Sequence, residues 1–185
     1  MWGSVNYKWC YMVGVYLALL LSGAEISAQA LSSEFPREER AVTVATTAFF
    51  DAVENPNAAS GHEFFSEAFA SALPLEDWRD WRLAQLTDHG PMTGLTAYRI
   101  TWYPVDTLLG AVDFVGRDES GRNLVCGYVL WEFVEAASPQ LRGFEATYVD
   151  TWELAAMSPE EQGKRLLEAN CAFTDVEANF ALSNS

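Results

Sequence analysis

Positive charge is what this 185-residue chain has least of: 11 lysines and arginines stand against 26 aspartates and glutamates, a formal net charge of −15. A surface that acidic repels phosphate backbones and anionic headgroups, which argues against nucleic acid and membrane-surface partners and leaves a basic protein or cationic ligand open. Histidine is scarce. His62 and His89 are the only two, both expected at the surface or at helix ends. The run His62-Glu63-Phe64-Phe65 lacks the second histidine one helical turn on that the H-E-x-x-H zinc motif requires. No metal site and no cofactor is expected. The chain carries no G-x-S-x-G elbow, P-loop or G-x-G-x-x-G, so hydrolase, nucleotide and dinucleotide chemistry have no motif behind them. Asp118-x-Ser120-Gly121 offers too few oxygen ligands for a calcium loop and reads as a turn.

Long apolar runs are also missing, save one near the start. Residues 1–30 read as a secretory signal peptide: Lys8 is the lone base of a short n-region, residues 9–21 are apolar, and Ala28-Gln29-Ala30 is an A-x-A cleavage site. The run falls short of the roughly 20 apolar residues of a comfortable span, although an uncleaved anchor is the alternative. No cysteine follows it closely, so a lipoprotein anchor is not expected. The reading is export, to a periplasmic or extracellular compartment, with no membrane span after cleavage. Residues 31–172 would form one domain and residues 173–185 a loose tail anchored only by Phe180.

Of three cysteines, Cys10 leaves with the leader. Cys126 and Cys171 remain, and an oxidising compartment makes a disulfide the natural reading, two buried thiols being the alternative. There is no C-x-x-C to suggest redox or metal chemistry.

What is abundant is apolar and aromatic: half the residues are hydrophobic, with 7 Trp, 7 Tyr and 11 Phe, enough for one core. Val42, Ala45, Phe49 and Val53 recur at helical spacing, with Arg40, Thr43, Thr47 and Asp51 on the opposite side. Asn55-Pro56-Asn57 stops that helix. A short helical stretch is expected at 58–72, and a third helix at 75–88, opened by Pro74 in its first turn and closed by Gly90-Pro91. Its Trp78 and Trp81 read as core rather than as a ligand site. The period then falls to two, predicting strands at 96–103 and 108–116 and a hairpin of 123–134 with 141–154. In strand 96–103, Tyr98, Ile100 and Trp102 share a face. Ser158-Pro159-Glu160-Glu161 is a capping box that starts a last helix over 159–170.

The fold class that follows is α+β: N-terminal helices packed on one face of a curved four-stranded antiparallel sheet, with a C-terminal helix on the other. In the hairpin, Trp131 and Tyr148 face inward and Cys126 faces the reverse side, where its bridge to Cys171 would clamp the last helix. A turn centred on Ser138 and Pro139 pairs Trp131 with Ala146, Val129 with Tyr148, and Asp150 with Gly127. That register sets one carboxylate on an aromatic face beside a residue that leaves room.

The element order, with the W-x-x-W helix ending at Gly90-Pro91 and the strand Tyr98-Arg99-Ile100-Thr101-Trp102, resembles the cystatin-like α+β superfamily of nuclear transport factor two, ketosteroid isomerase and polyketide cyclases, over about residues 41–154. The resemblance is to small exported bacterial members of unknown function. It implies a cone enclosing an apolar pocket whose few polar groups set the function. The extra helix at Ser158 departs from that pattern and puts the family's sheet-face dimer in doubt.

The candidate pocket is Trp102, Trp131, Tyr148, Asp150 and Trp152. The first reading is a non-catalytic exported domain binding a small apolar or amphipathic ligand, or an envelope protein partner, on that aromatic face. The alternatives are an enzyme of ketosteroid-isomerase or cyclase type with Asp150 as general base, its pKa raised by desolvation, and an assembly module of an envelope complex. Against the enzyme stands the plainer expectation that Asp150 is solvated or paired with an arginine such as Arg99. Oligomeric state is open.

Overall fold

The computed structural model describes residues 34–134, 138–169 and 171, and the expected leader and tail lie outside them. Among the described residues five α-helices accompany one sheet of four antiparallel strands in sequential order, the α+β arrangement expected. Helix α1 (Pro36–Glu54) buries Val42, Thr46, Phe49, Phe50 and Val53, a wider stripe than the sequence reading drew. The expected helical stretch at 58–72 is broken. A 3-10 turn (His62–Phe64) leads to extended Phe65, which bridges Leu141 in parallel. Ser66 then caps α2 (Glu67–Ala72), accepting from the Phe69 amide at 3.3 Å. Helix α3 (Leu75–His89) follows, with Pro74 as its N-cap residue rather than inside its first turn.

Strands β1 (Met92–Pro104), β2 (Leu108–Asp118), β3 (Asn123–Phe133) and β4 (Gln140–Asp150) form a meander. The inner face carries Val112, Phe114, Val125, Val129, Trp131 and Leu141, with Phe144, Ala146 and Tyr148 partly buried beside them; helices α1 to α3 cover it. The reverse face carries Leu124, Cys126 and Val149, covered by Leu154 of α4 (Thr151–Ala156), Leu166 of α5 (Pro159–Glu168), Ala169 and Cys171. Trp131 and Tyr148 therefore share one side, as the alternation requires. Cys126 and Cys171 are joined by a disulfide with Cα atoms 5.4 Å apart, within the range that geometry allows. Ser158 and Glu161 form the reciprocal capping box at the start of α5.

The hairpin register differs from the expected one. Trp131 pairs with Leu141, Val129 with Phe144, Gly127 with Ala146, Val125 with Tyr148, and Asn123 with Asp150. The connection occupies residues 134–139, so its centre lies before Ser138 and Pro139, which moves every partner along β4 while keeping the faces. A bulge at Arg142 then sets both Leu141 and Phe144 on the inner face, although an unbroken strand would separate them. Gly127 leaves no room for Asp150: a side chain there would collide with the Glu145 carbonyl of β4, and the missing Cβ serves close strand approach. In β1 a register shift at Tyr98 lets Ala97 and Ile100, three apart, meet Phe114 and Val112, two apart. Tyr98 thus falls out of phase with Ile100 and Trp102. Strand β4 ends at Asp150, and the residues expected to continue it form α4.

Candidate functional site

Of the five residues predicted to line a pocket, Trp131 belongs to the inner core with Trp102 and Tyr148 packed against it, while Asp150 and Trp152 stand at the start of α4. Trp131 is wholly buried and its indole N–H donates to Thr46 Oγ1 of α1 at 2.8 Å, fixing helix to sheet. Trp102 lies over Gly110, where a Cβ would stand 2.8 Å from the indole, and faces Phe133 with ring centroids 6.1 Å apart. Tyr148 is half-buried under the His89 ring, stacked at 3.9 Å and 9°. Trp152, on α4, is 78% exposed.

Asp150 is the N-cap of α4. Its carboxylate accepts from the backbone amides of Trp152 at 2.8 Å and Glu153 at 3.1 Å, and Arg122, not Arg99, is its ion-pair partner at 2.8 Å. The Glu153 amide and then Arg122 hold the carboxyl below its ordinary value, the reverse of the shift that a general base would need. Arg99 pairs instead with Asp113 at 2.5 Å. The sequence held a signal for this role, since Asp150-Thr151-Trp152-Glu153 has the spacing of a capping box.

The interior polar group that the sequence reading missed is Arg82. It is fully buried on α3, and its guanidinium donates to the Val53 carbonyl at 2.6 Å and the Asn55 carbonyl at 3.2 Å, satisfying the open end of α1, which has no basic residue in its last turn. It also bonds Gln85, whose amide donates to the Gly90 carbonyl at 2.7 Å. The Tyr148 hydroxyl faces this group, and burial pushes its pKa up while Arg82 pulls it down. Arg82 bonds only neutral acceptors and joins two helix ends, which makes it structural. Among the described residues no group of three or more His, Cys, Asp or Glu is placed to hold a metal ion.

Aromatic surface reaches solvent on the far side of α3. Tryptophans three apart sit on one flank of a helix, so Trp78 is buried while Trp81, 39% exposed, stacks on it with centroids 5.1 Å apart and planes at 29°. Phe144 of β4, turned inward by the Arg142 bulge, meets both indoles edge-on at 6.2 and 5.9 Å. With Phe69 and Leu73 closing one side and Glu145 and Ala146 the other, these residues line an open cleft of about 260 Å³. The Trp78 indole N–H points away from it, donating to the Ser60 carbonyl at 3.1 Å. Trp81, read from sequence as core, is thus the exposed wall of a cleft. Two other hollows flank α1. One, of about 480 Å³, lies between α1 and β1 and is partly spanned by Glu54, which accepts from the Leu95 amide at 2.7 Å. The other, of about 750 Å³, lies along Arg37, Ala41, Val44 and Ala48 and ends at Ser138 and Pro139.

Comparisons with protein-family models, with curated proteins and with solved structures find no match for this chain.

Proposed function

We propose that this chain is an exported, non-catalytic domain that binds a small apolar or amphipathic molecule in the cleft formed by Phe69, Leu73, Trp78, Trp81 and Phe144. The observation that carries the reading is Trp81. A large apolar ring is left at a concave surface and held by a stack on Trp78 and an edge contact with Phe144, which is how a binding wall is pre-organised at low entropic cost. Binding is favoured over turnover because Asp150, the carboxylate that the enzyme reading needs, caps a helix and is paired with Arg122. Export is supported by the leader-like residues 1–30 and by a disulfide that an oxidising compartment would maintain. Membership of the cystatin-like superfamily is supported by element order alone. Among the described residues no helix is long and apolar enough to cross a membrane.

The test is a ligand-observed NMR screen of small apolar and amphipathic compounds against the purified protein and Trp81→Leu. Hits are expected to lose binding in the variant while its melting temperature stays close to that of the parent, since Trp81 is the partly exposed member of the stack. Hits that bind Trp81→Leu unchanged, or a screen without hits, would overturn the reading.

A further inference from the structure

We propose that the cleft takes a quaternary ammonium group, an inference that rests on the cleft being a binding site and goes further in naming the chemistry of its ligand. Three indole and phenyl rings converge on it, and ring faces carry the negative part of the aromatic quadrupole, which attracts a cation within about 6 Å of a centroid. The charge around the cleft has the matching sign. Glu145 lines it only along the strand, its side chain lying on the reverse face with Tyr128, so the charge comes from the helix side. Asp77 lies one helical turn before Trp81, and Asp80 precedes it, in a chain of net charge −15. The two nearest cations on α3 are both engaged elsewhere: Arg79 pairs with Glu76 at 3.3 Å, and Arg82 is buried against the carbonyls of Val53 and Asn55.

The lining also selects among cations. Apart from Glu145, which interacts with the Tyr128 hydroxyl across the strands, every residue lining the cleft is apolar or aromatic. A primary ammonium or a guanidinium turned toward these rings would give up water from N–H donors for which the lining side chains offer no acceptor. A quaternary ammonium has no N–H to satisfy. It spreads its charge over methyl groups that pack on indole, and a trimethylammonium head is small enough for a hollow of about 260 Å³.

The experiment compares choline with 3,3-dimethylbutan-1-ol, its neutral isostere, and with ethanolamine, by titration of the folded full chain. Trp81→Phe and Trp81→Leu are run beside it, and melting curves confirm that both variants fold. Choline is expected to bind about tenfold more tightly than the isostere, between what an exposed and a desolvated cation–π contact supply, and more tightly than ethanolamine. Trp81→Phe should weaken choline binding and Trp81→Leu abolish it. Equal binding of choline and its isostere, both lost in Trp81→Leu, would overturn the cationic ligand while leaving the apolar cleft intact. Failure of choline to bind while apolar compounds from the screen do would have the same meaning. Failure of every compound would remove cleft and ligand together.

Discussion

The two faces of the sheet are closed by different physics. Inward, Trp131, Phe49, Phe114, Val112 and Leu141 are all but fully buried in one cluster, and rings meet edge to face across α1 and the strands, as with Phe49 on Trp131 at 6.2 Å and Phe50 on Phe114 at 5.3 Å. Behind the sheet the buried set is small. Helix α5 is ten residues long and buries only Leu166 among its own side chains, and α4 buries only Leu154. Helices that short do not persist in water on their own, and two leucines bury too little to hold them. The Cys126–Cys171 bridge and two N-caps supply the rest. A face with enough apolar area needs no covalent help, and one without it is held by a cross-link and capped helix ends.

Trp131→Ala should produce the largest effect. It removes a fully buried indole and the hydrogen bond to Thr46, at a cost of about 3–5 kcal/mol, and because Trp131 ties α1 to β3 both faces should lose their structure together in a single denaturant transition. The double change Cys126→Ala with Cys171→Ala is expected to lower stability by about 2–4 kcal/mol, since the bridge closes a long loop. Here the loss should be local: amides of α5 should exchange faster while the near-ultraviolet dichroism from the inner tryptophans persists. If the cysteine change instead unfolds the inner aromatic cluster in the same transition, the two faces are one cooperative unit and the inner face does not stand without the bridge.

The parts legible in the sequence are those written in neighbouring residues. The α1 stripe through Val42, Phe49 and Val53, the Ser158–Glu161 capping box and the two-sided alternation of β3 each depend on spacing within a few positions, and all are present. The cysteine pairing is readable because setting Cys10 aside with the expected leader leaves two candidates, and those two are joined. The register of β3 on β4 is not readable, because it depends on where a six-residue connection bends and on an extra residue at Arg142 that no local pattern marks. The cleft is illegible for the same reason: alternation shows which residues share a face of the hairpin, whereas the cleft is assembled from α2, α3 and β4 around Phe144, and only the folded chain brings Trp81 to it. Arg82 was passed over because a charged residue on a helix is normally a solvated one; its partners, the carbonyls at the end of α1, lie 29 and 27 residues away.

The smallest expected effect distinguishes the reverse face by its response to acid. Asp150 and Glu161, which cap α4 and α5, both titrate below their ordinary values, Asp150 through the Glu153 amide and Arg122, and Glu161 through the Ser158 hydroxyl and amide. Asp118, in the neighbouring β2–β3 turn, is pushed upward by burial, yet hydrogen bonds from Asn123, Ser120 and Arg122 outweigh that and bring it below normal as well. A carboxyl whose folded pKa lies below its unfolded value, about 3.9 for Asp and 4.3 for Glu, contributes stability that is complete above the unfolded value and is lost as pH falls through the folded one. Acidification below about pH 4 should therefore loosen α4 and α5 before the inner core. Asp150→Asn keeps an N-cap acceptor but neither titrates nor pairs with Arg122. Its urea midpoint at pH 7 should lie below that of the parent by what the charge contributes, while its decline between about pH 5 and pH 2 should be shallower, so that the two converge in acid, with the remaining slope left to Asp118 and Glu161. Identical slopes in parent and variant would show that the Asp150 charge does not hold α4, and that burial of Leu154 alone sets the helix in place.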